Sequence, residues 1–363
     1  MNTKTSTYRL QYLDWLRGLG AVIMLQGHVF DSFLRNDLRP GGAYIYSQFA
    51  GGMPPAIFLF LTGVTLAFLM DSTERKGLGP LQRVVAAFRR SGYLFLLAFA
   101  FRVQMLITGW PAQWSDLFKV DILNCMGLAI AVMSAMALFR TVERVRLCAI
   151  LGLAIAMASP LVSQMDWSAV PPALRNYLAP DYHAFSFFPW AAYVAFGMSA
   201  GSMIRAIPAE ATDRAMQWTA IVGGALVLAC QYLSNLPISI YTKSEYWLNS
   251  PAQVLSKLGV TLLLLAFAFL WTRYARPTGW SWMRQFGTTS LLVYWVHIEL
   301  VYGRWLWFWK GSLNVGQTVA AAVVVILVML ILSAAKTYRT RIFGWIGELA
   351  GWAPASVERA SGD

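Results

Sequence analysis

The sequence predicts an all-α fold, a polytopic bundle of about ten transmembrane helices with both termini in the cytoplasm. Hydrophobic residues make up 58% of the 363 residues and charged residues only 13%, whereas about 25% of the residues in a soluble domain are charged. The 16 Trp, 15 Tyr and 21 Phe suit membrane–water interfaces, where a ring buries its body and keeps its polar edge wet. We therefore expect an integral membrane protein embedded in a lipid bilayer.

Apolar stretches close to the length of about 20 residues that spans hydrocarbon recur along the whole chain. Turn-forming residues such as Pro40, Pro111, Pro171 and Pro237 fall between these stretches, and no connection is long enough to form a soluble domain. Residues 1–363 are therefore predicted to form one integral-membrane domain. The predicted spans are 13–33, 53–70, 89–108, 121–139, 146–163, 185–204, 217–234, 255–272, 288–308 and 318–335.

The basic residues predict the orientation of the bundle. Most of the 29 Lys and Arg residues fall in alternate connections, and an excess of Lys and Arg marks cytoplasmic connections. The net charge of +12 is spread over short connections and not gathered on one face, which argues against nucleic acid as a partner. The three cysteines lie in apolar stretches without metal-ligand spacing, so we expect no metal site.

Four ionisable residues in the first span form the most informative pattern. Placing a charge inside a span costs about 2.5–3.5 kcal/mol on insertion scales, so each case requires an explanation. Asp14, Arg17, His28 and Asp31 project into one arc of the helix, which must face the bundle interior or a wet cavity. Asp14 and Arg17 form either a structural pair or part of a site, and His28 is either a buried neutral imidazole or a general base.

The ninth span carries a second intramembrane histidine. Tyr294, His297 and Arg304 share one face of a continuous helix, and Glu299 points to the opposite face. Polar side chains at such positions commonly hold neighbouring helices together. His297 is therefore either a packing residue or a second catalytic candidate.

Three arginines of the third span are candidates for binding an anion. Arg89 and Arg90 open the span at the predicted cytoplasmic face, and Arg102 lies within it. The basic pair fits simple anchoring at the membrane surface. It also fits the docking of a phosphorylated cytosolic donor, because a guanidinium group binds phosphate through two parallel hydrogen bonds.

Several motifs together resemble a known family. LDWLRGL (13–19), with His28 following Arg17 after ten residues, resembles the first helix of the membrane acyltransferase superfamily. Later segments resemble its heparan-α-glucosaminide N-acetyltransferase catalytic-domain branch and occur in the order of that family. These segments are FLFLTGV (58–64), DILNCMG (121–127), FPW (188–190) and FGTTSL (286–291).

The resemblance implies an acyltransferase that moves an acetyl or other short acyl group from cytosolic acyl-CoA to a hydroxyl or amine of a sugar, glycolipid or glycan. A histidine is then the catalytic group, and basic residues hold the CoA. The candidate catalytic residues are His28, Asp14, Asp31 and His297, with Asp14 or Asp31 as the acidic neighbour expected to orient the His28 ring. The candidate donor-binding residues are Arg17, Arg89, Arg90 and Arg102.

The first-span histidine makes the chain most similar to bacterial sugar O-acyltransferases of the acyltransferase 3 type. Those enzymes carry Arg-x-x-Arg near the third helix, where this chain has Arg89 followed directly by Arg90. The resemblance implies a multi-pass protein of the bacterial plasma membrane. The sequence is also compatible with a homodimer.

A multi-pass solute or proton-coupled transporter is the alternative function, because intramembrane His, Asp, Glu and Arg also relay protons or bind solutes. Many transporters contain paired interrupted helices in two related halves, a pattern that the sequence does not show. Because no Ser or Cys is paired with a base, the sequence favours direct acyl transfer over a covalent acyl-enzyme. A covalent acyl-histidine intermediate is the alternative that the sequence leaves open.

Overall fold

The computed structural model of the protein describes residues 10–108, 113–275 and 279–349, with side chains as far as residue 339. The fold is all-α and 80% helical. The only β-structure in the described ranges is a pair of isolated β-bridges. The helices are α1 (Gln11–Phe33), α2 (Gly42–Gly51), α3 (Pro54–Arg75), α4 (Pro80–Thr108), α5 (Ile122–Met133), α6 (Thr141–Ser163), α7 (Pro172–Leu178), α8 (Phe187–Ala206), α9 (Thr212–Ser234), α10 (Pro251–Leu270), α11 (Trp282–Thr288), α12 (Ser290–Tyr302) and α13 (Val315–Leu349).

Eight helical stretches in the described part of the chain are long and apolar enough to cross a membrane. Each overlaps one of the predicted spans, so the prediction of a membrane-helical, all-α fold is confirmed. The protein is a multi-pass integral membrane protein. The stretches are Gly42–Arg75, Pro80–Thr108, Trp114–Leu138, Thr141–Ser163, Phe187–Ala206, Ala209–Ser234, Pro251–Ala275 and Val315–Arg339.

The other two predicted spans fall on helices that differ from an ordinary transmembrane helix. Span 13–33 is α1, which has 23 residues but is made more polar by its ionisable side chains. Span 288–308 contains α12, which has only 13 residues, about 20 Å of helix against about 30 Å of hydrocarbon. The number of ten spans therefore stays a prediction. The predicted cytoplasmic termini also stay a prediction, because residues 1–9 and 350–363 lie outside the described residues.

Helix α1 lies at the centre of the bundle. It packs against α2, α3, α10, α11, α12 and α13. Leu13 and Leu16 belong to the larger hydrophobic core, which α1 shares with α3, α5, α6, α8 and α10. Leu25, Val29 and Phe33 belong to a smaller core with α12 and α13. A helix that joins two cores is covered by protein on most sides, which explains how the bundle tolerates its polar residues.

Helices α3 and α8 approach each other backbone to backbone at a reciprocal pair of glycines. A Cβ atom on Gly63 would collide with the backbone of Val194 and Met198, and one on Gly197 would collide with the backbone of Phe60. Small residues at such contacts let helices in a membrane pack closely. The contact holds α3 in place, and α3 forms one wall of the cavity described below.

We predict that Gly197→Ala lowers stability by about 1–3 kcal/mol, the usual cost of forcing an extra group into a packed contact. The measurement is the thermal unfolding midpoint of the purified protein in detergent. Gly224→Ala is the matched control, because no atom lies within 4 Å of a Cβ added to Gly224. Equal midpoints for the two variants would contradict the close contact between α3 and α8.

We predict that Lys76 and Glu210 lie on the cytoplasmic side and that Asp37 and Ser239 lie on the opposite side. All four side chains are exposed, and the three native cysteines are buried, so single cysteines at these positions report their location. In sealed right-side-out vesicles, an impermeant maleimide should label the Asp37→Cys and Ser239→Cys variants. Lys76→Cys and Glu210→Cys should react only after permeabilisation, and labelling on the wrong side would refute the ten-span topology.

Candidate functional site

Two histidines from distant parts of the chain meet where α1 packs against α12. The Nδ1 atom of His28 lies 2.9 Å from the Nε2 atom of His297. The ring planes are inclined by only 13° and the ring centroids are 5.1 Å apart. Since the centroid separation exceeds the N···N distance by about two ring radii, the two nitrogens face each other within the plane of the rings. His297 is fully buried, and His28 is partly exposed.

The polar contact between α1 and α12 continues toward the C-terminal end of both helices. Ser32 Oγ donates a hydrogen bond of 2.9 Å to the carbonyl oxygen of Val301. The ring of Tyr302 packs edge-on against the imidazole of His28, with centroids 5.4 Å apart. Tyr302 is not among the candidates that the sequence indicates, because a tyrosine near the end of an apolar segment is typical of a membrane-interface anchor.

The carboxylate of Asp31 is held by two tyrosines. Tyr302 donates its hydroxyl to Oδ2 at 2.9 Å, and Tyr44 of α2 donates its hydroxyl to Oδ1 at 3.1 Å. A carboxylate was expected to orient the His28 ring, but the Nδ1 atom of that ring is bonded to His297. Asp31 is connected to His28 through Tyr302.

Asp14 and Arg17 form an ion pair near the N-terminal end of α1. The Nη1 atom of Arg17 lies 3.2 Å from Oδ1 of Asp14, and the carboxylate is buried while the guanidinium is partly exposed. Asp14 precedes His28 by about 21 Å along the helix axis. The structure therefore places Asp14 beside Arg17, at the opposite end of α1 from the two histidines.

One cavity of about 540 Å³ is lined by both Arg17 and His28. Because these residues are about 16 Å apart along α1, the cavity has an arginine end and a histidine end. Arg90 also lines the cavity, and Tyr302 lies in its wall close to His28. Apolar side chains make up much of the remaining wall, among them Met24, Phe58, Leu94, Ile122, Met126, Leu291 and Ile298.

The two adjacent arginines of α4 have different surroundings. They were expected to open the third span, but α4 begins at Pro80, about 15 Å before Arg90 along the helix axis. Arg90 lines the cavity, and its Nη2 atom lies 3.4 Å from Oγ1 of Thr65. Arg89 lies outside the cavity lining, because neighbouring residues of a helix point about 100° apart. Of the pair, Arg90 is the residue placed at the cavity.

Arg102, the third candidate for donor binding, is paired with an acid. Its Nε atom lies 3.2 Å from Oδ2 of Asp121. Asp121 also caps α5, since its Oδ1 atom accepts hydrogen bonds from the backbone nitrogens of Leu123 and Asn124. Arg102 lies outside the cavity lining. The structure thus gives it a structural partner, away from Arg17 and Arg90.

The ninth predicted span is not one continuous helix, and Glu299 and Arg304 therefore do not lie on opposite faces of one helix. Because α12 ends at Tyr302, Arg304 lies beyond the helix and donates to two backbone carbonyl oxygens at the end of α4, at 2.7 and 2.9 Å. Glu299 is buried and accepts a hydrogen bond of 3.0 Å from Nε1 of Trp305. Both side chains lie outside the cavity lining. Arg304 joins the segment after α12 to α4, and Glu299 joins α12 to that segment.

Residues 9–243 of the chain match the family described as heparan-alpha-glucosaminide N-acetyltransferase, catalytic. The matched region covers more than half of the chain and includes Arg17, His28 and Arg90. Helix α12, with His297, follows the matched region. A comparison with curated proteins finds no significant match.

Proposed function

Since the chain belongs to the heparan-α-glucosaminide N-acetyltransferase catalytic family and is a membrane acetyltransferase, we propose that it takes an acetyl or other short acyl group from acyl-CoA. The acceptor is a hydroxyl or amine of a sugar, glycolipid or glycan. The observation that supports this proposal most strongly is that Arg17, Arg90 and His28 line the same cavity. Such a reaction needs cations for a phosphorylated donor and a base for the acceptor.

The arginine end of the cavity is the proposed donor end. CoA carries several phosphate charges and cannot cross lipid, so it must approach from the cytoplasm. Arg17 and Arg90 contribute guanidinium groups on α1 and α4, which suit phosphate oxygens better than a point charge does. The distance of about 16 Å along α1 between Arg17 and His28 suits a donor whose phosphates stay near the cytoplasmic side. Its thioester arm then extends along the apolar part of the cavity.

The histidine end is the proposed site of chemistry. A neutral imidazole can take a proton from a hydroxyl or amine as that group attacks the thioester carbonyl, a contribution of about 10²–10⁴-fold. His28 is partly exposed and lines the cavity, so its ring is accessible to an acceptor. We propose that the acceptor arrives from the side opposite the cytoplasm and that the protein acts in the bacterial plasma membrane.

We predict that Arg90→Ala raises the KM for acetyl-CoA about tenfold or more, because a hydrogen bond to a charged group contributes about 1.5–3 kcal/mol. The kcat value should change much less. The measurement is the release of CoA thiol by purified protein in detergent, with a panel of sugar and glycan acceptors. Arg89→Ala is the matched control, because Arg89 lies outside the cavity lining. An unchanged KM in the Arg90 variant would remove this residue from the donor site.

We predict that His28→Ala lowers acyl transfer by at least about 10²-fold, the usual cost of losing a general base. The protein should stay folded, because the hydrogen bond from Ser32 to Val301 and the shared hydrophobic core still join α1 to α12. His183→Ala is the control, since His183 lies exposed in a connection between helices, and it should keep parental turnover. Near-parental turnover in well-folded His28→Ala protein would refute the proposed role of His28.

A further inference from the structure

The contacts of His297 determine which of its ring nitrogens carries a proton. Its Nδ1 atom lies 2.7 Å from the backbone carbonyl oxygen of Val293. A carbonyl oxygen only accepts hydrogen bonds, so Nδ1 of His297 is the protonated nitrogen. A neutral imidazole has one N–H donor and one lone pair, and the Nε2 atom of His297 therefore carries the lone pair.

The contact with His297 determines which nitrogen of His28 carries a proton. The lone pair on Nε2 of His297 faces Nδ1 of His28 at 2.9 Å, within the plane of both rings. Two lone pairs would repel each other at that distance, so the His28 nitrogen is the donor. His28 is consequently protonated at Nδ1, and the lone pair of its neutral ring lies on Nε2.

We infer that His297 is a positioning residue that fixes this tautomer of His28 and so presents the Nε2 lone pair to the acceptor. The inference rests on the proposed function, because it assigns His297 a role in the same acyl transfer. His297 lies outside the cavity lining and is fully buried, so it acts through His28 and touches neither substrate.

The hydrogen bond also determines where the proton goes. When the acceptor O–H or N–H bond breaks, its proton moves to Nε2 of His28, and the resulting imidazolium donates a charge-assisted hydrogen bond to His297. The chain of hydrogen bonds ends at the carbonyl oxygen of Val293, which cannot carry the proton onward. As the new acyl bond forms and the C–S bond breaks, the proton on Nε2 therefore moves to the leaving thiolate, and the products are the acylated acceptor and CoA thiol.

Two amide substitutions separate positioning from packing. In the His297→Gln variant, the glutamine amide reaches the place of the His297 Nε2 atom, and its oxygen accepts the hydrogen bond from His28. In the His297→Asn variant, the shorter asparagine amide lies near the place of the His297 Nδ1 atom. The Nδ1–H group of His28 is then left without a partner. We expect the Asn variant to lose about 10–100-fold in kcat, the effect of removing a partner that orients a functional histidine. The KM for acetyl-CoA should be unchanged, and the Gln variant should keep most of the kcat. Equal kcat values for the two variants would overturn the inference.

A spectroscopic measurement tests the tautomer without relying on activity. The chain has three histidines, so a His183→Gln background leaves only His28 and His297 in a ¹⁵N-histidine spectrum. With His297 present or replaced by Gln, Nδ1 of His28 should show the shift of a protonated nitrogen and Nε2 that of a lone pair. His297→Asn should give a mixture of the two tautomers.

The spectrum and the activity assay can fail separately. A His28 ring protonated at Nε2 in the parent, or an identical tautomer in the Asn variant, would overturn the role of His297. A parent protein with the expected spectrum but no acyl transfer from acetyl-CoA to any sugar acceptor would instead overturn the proposed function and leave the assignment of the tautomer intact.

Discussion

The polar contact between α1 and α12, which includes the hydrogen bonds from His28 to His297 and from Ser32 to Val301, sets the arrangement of the two helices and with it the position of the cavity. A polar group in hydrocarbon without a partner costs several kcal/mol. Helix α1 is too polar to face lipid along its whole surface, and α12 is too short to cross a bilayer as an ordinary span. Each helix therefore needs a protein neighbour, and their polar side chains meet each other. The two predicted spans that least resemble transmembrane helices are the two that carry these histidines.

Further contacts support the end of α1 near the histidines. The carbonyl oxygens of Ser32 and Phe33 accept hydrogen bonds of 3.0 Å from the backbone nitrogens of Gly311 and Leu313. Carbonyl groups at the end of a helix lack partners within the helix, and here the segment that follows α12 supplies them. The same segment therefore returns from α12 to α1. This arrangement holds the short helix against its partner without relying on the lipid.

The surroundings of each arginine in the bundle determine whether it serves the fold or the cavity. Arg144 is fully buried, and its Nη2 atom lies 3.2 Å from Oε2 of Glu74. Arg102 is paired with Asp121 in a similar way. Breaking such a pair on one side leaves a buried charge uncompensated, at a cost of about 3–5 kcal/mol, so these arginines serve the fold. Arg17 is also paired, with Asp14, but Arg17 and Arg90 both line the cavity, where a guanidinium can meet a ligand.

The sequence by itself determined the membrane-helical fold, because apolar length and the cost of intramembrane charge are properties of local segments. The same cost identified Arg17, His28 and His297 as candidates, and the basic pair at the predicted cytoplasmic face identified Arg90. The tertiary structure alone decided which candidates meet, because the partners of a buried polar group come from distant parts of the chain. It paired His28 with His297 in place of a carboxylate, brought Tyr302 to the His28 ring, and separated Arg90 from Arg89. Helix periodicity describes the direction of a side chain around its own axis, but only packing determines what lies in that direction.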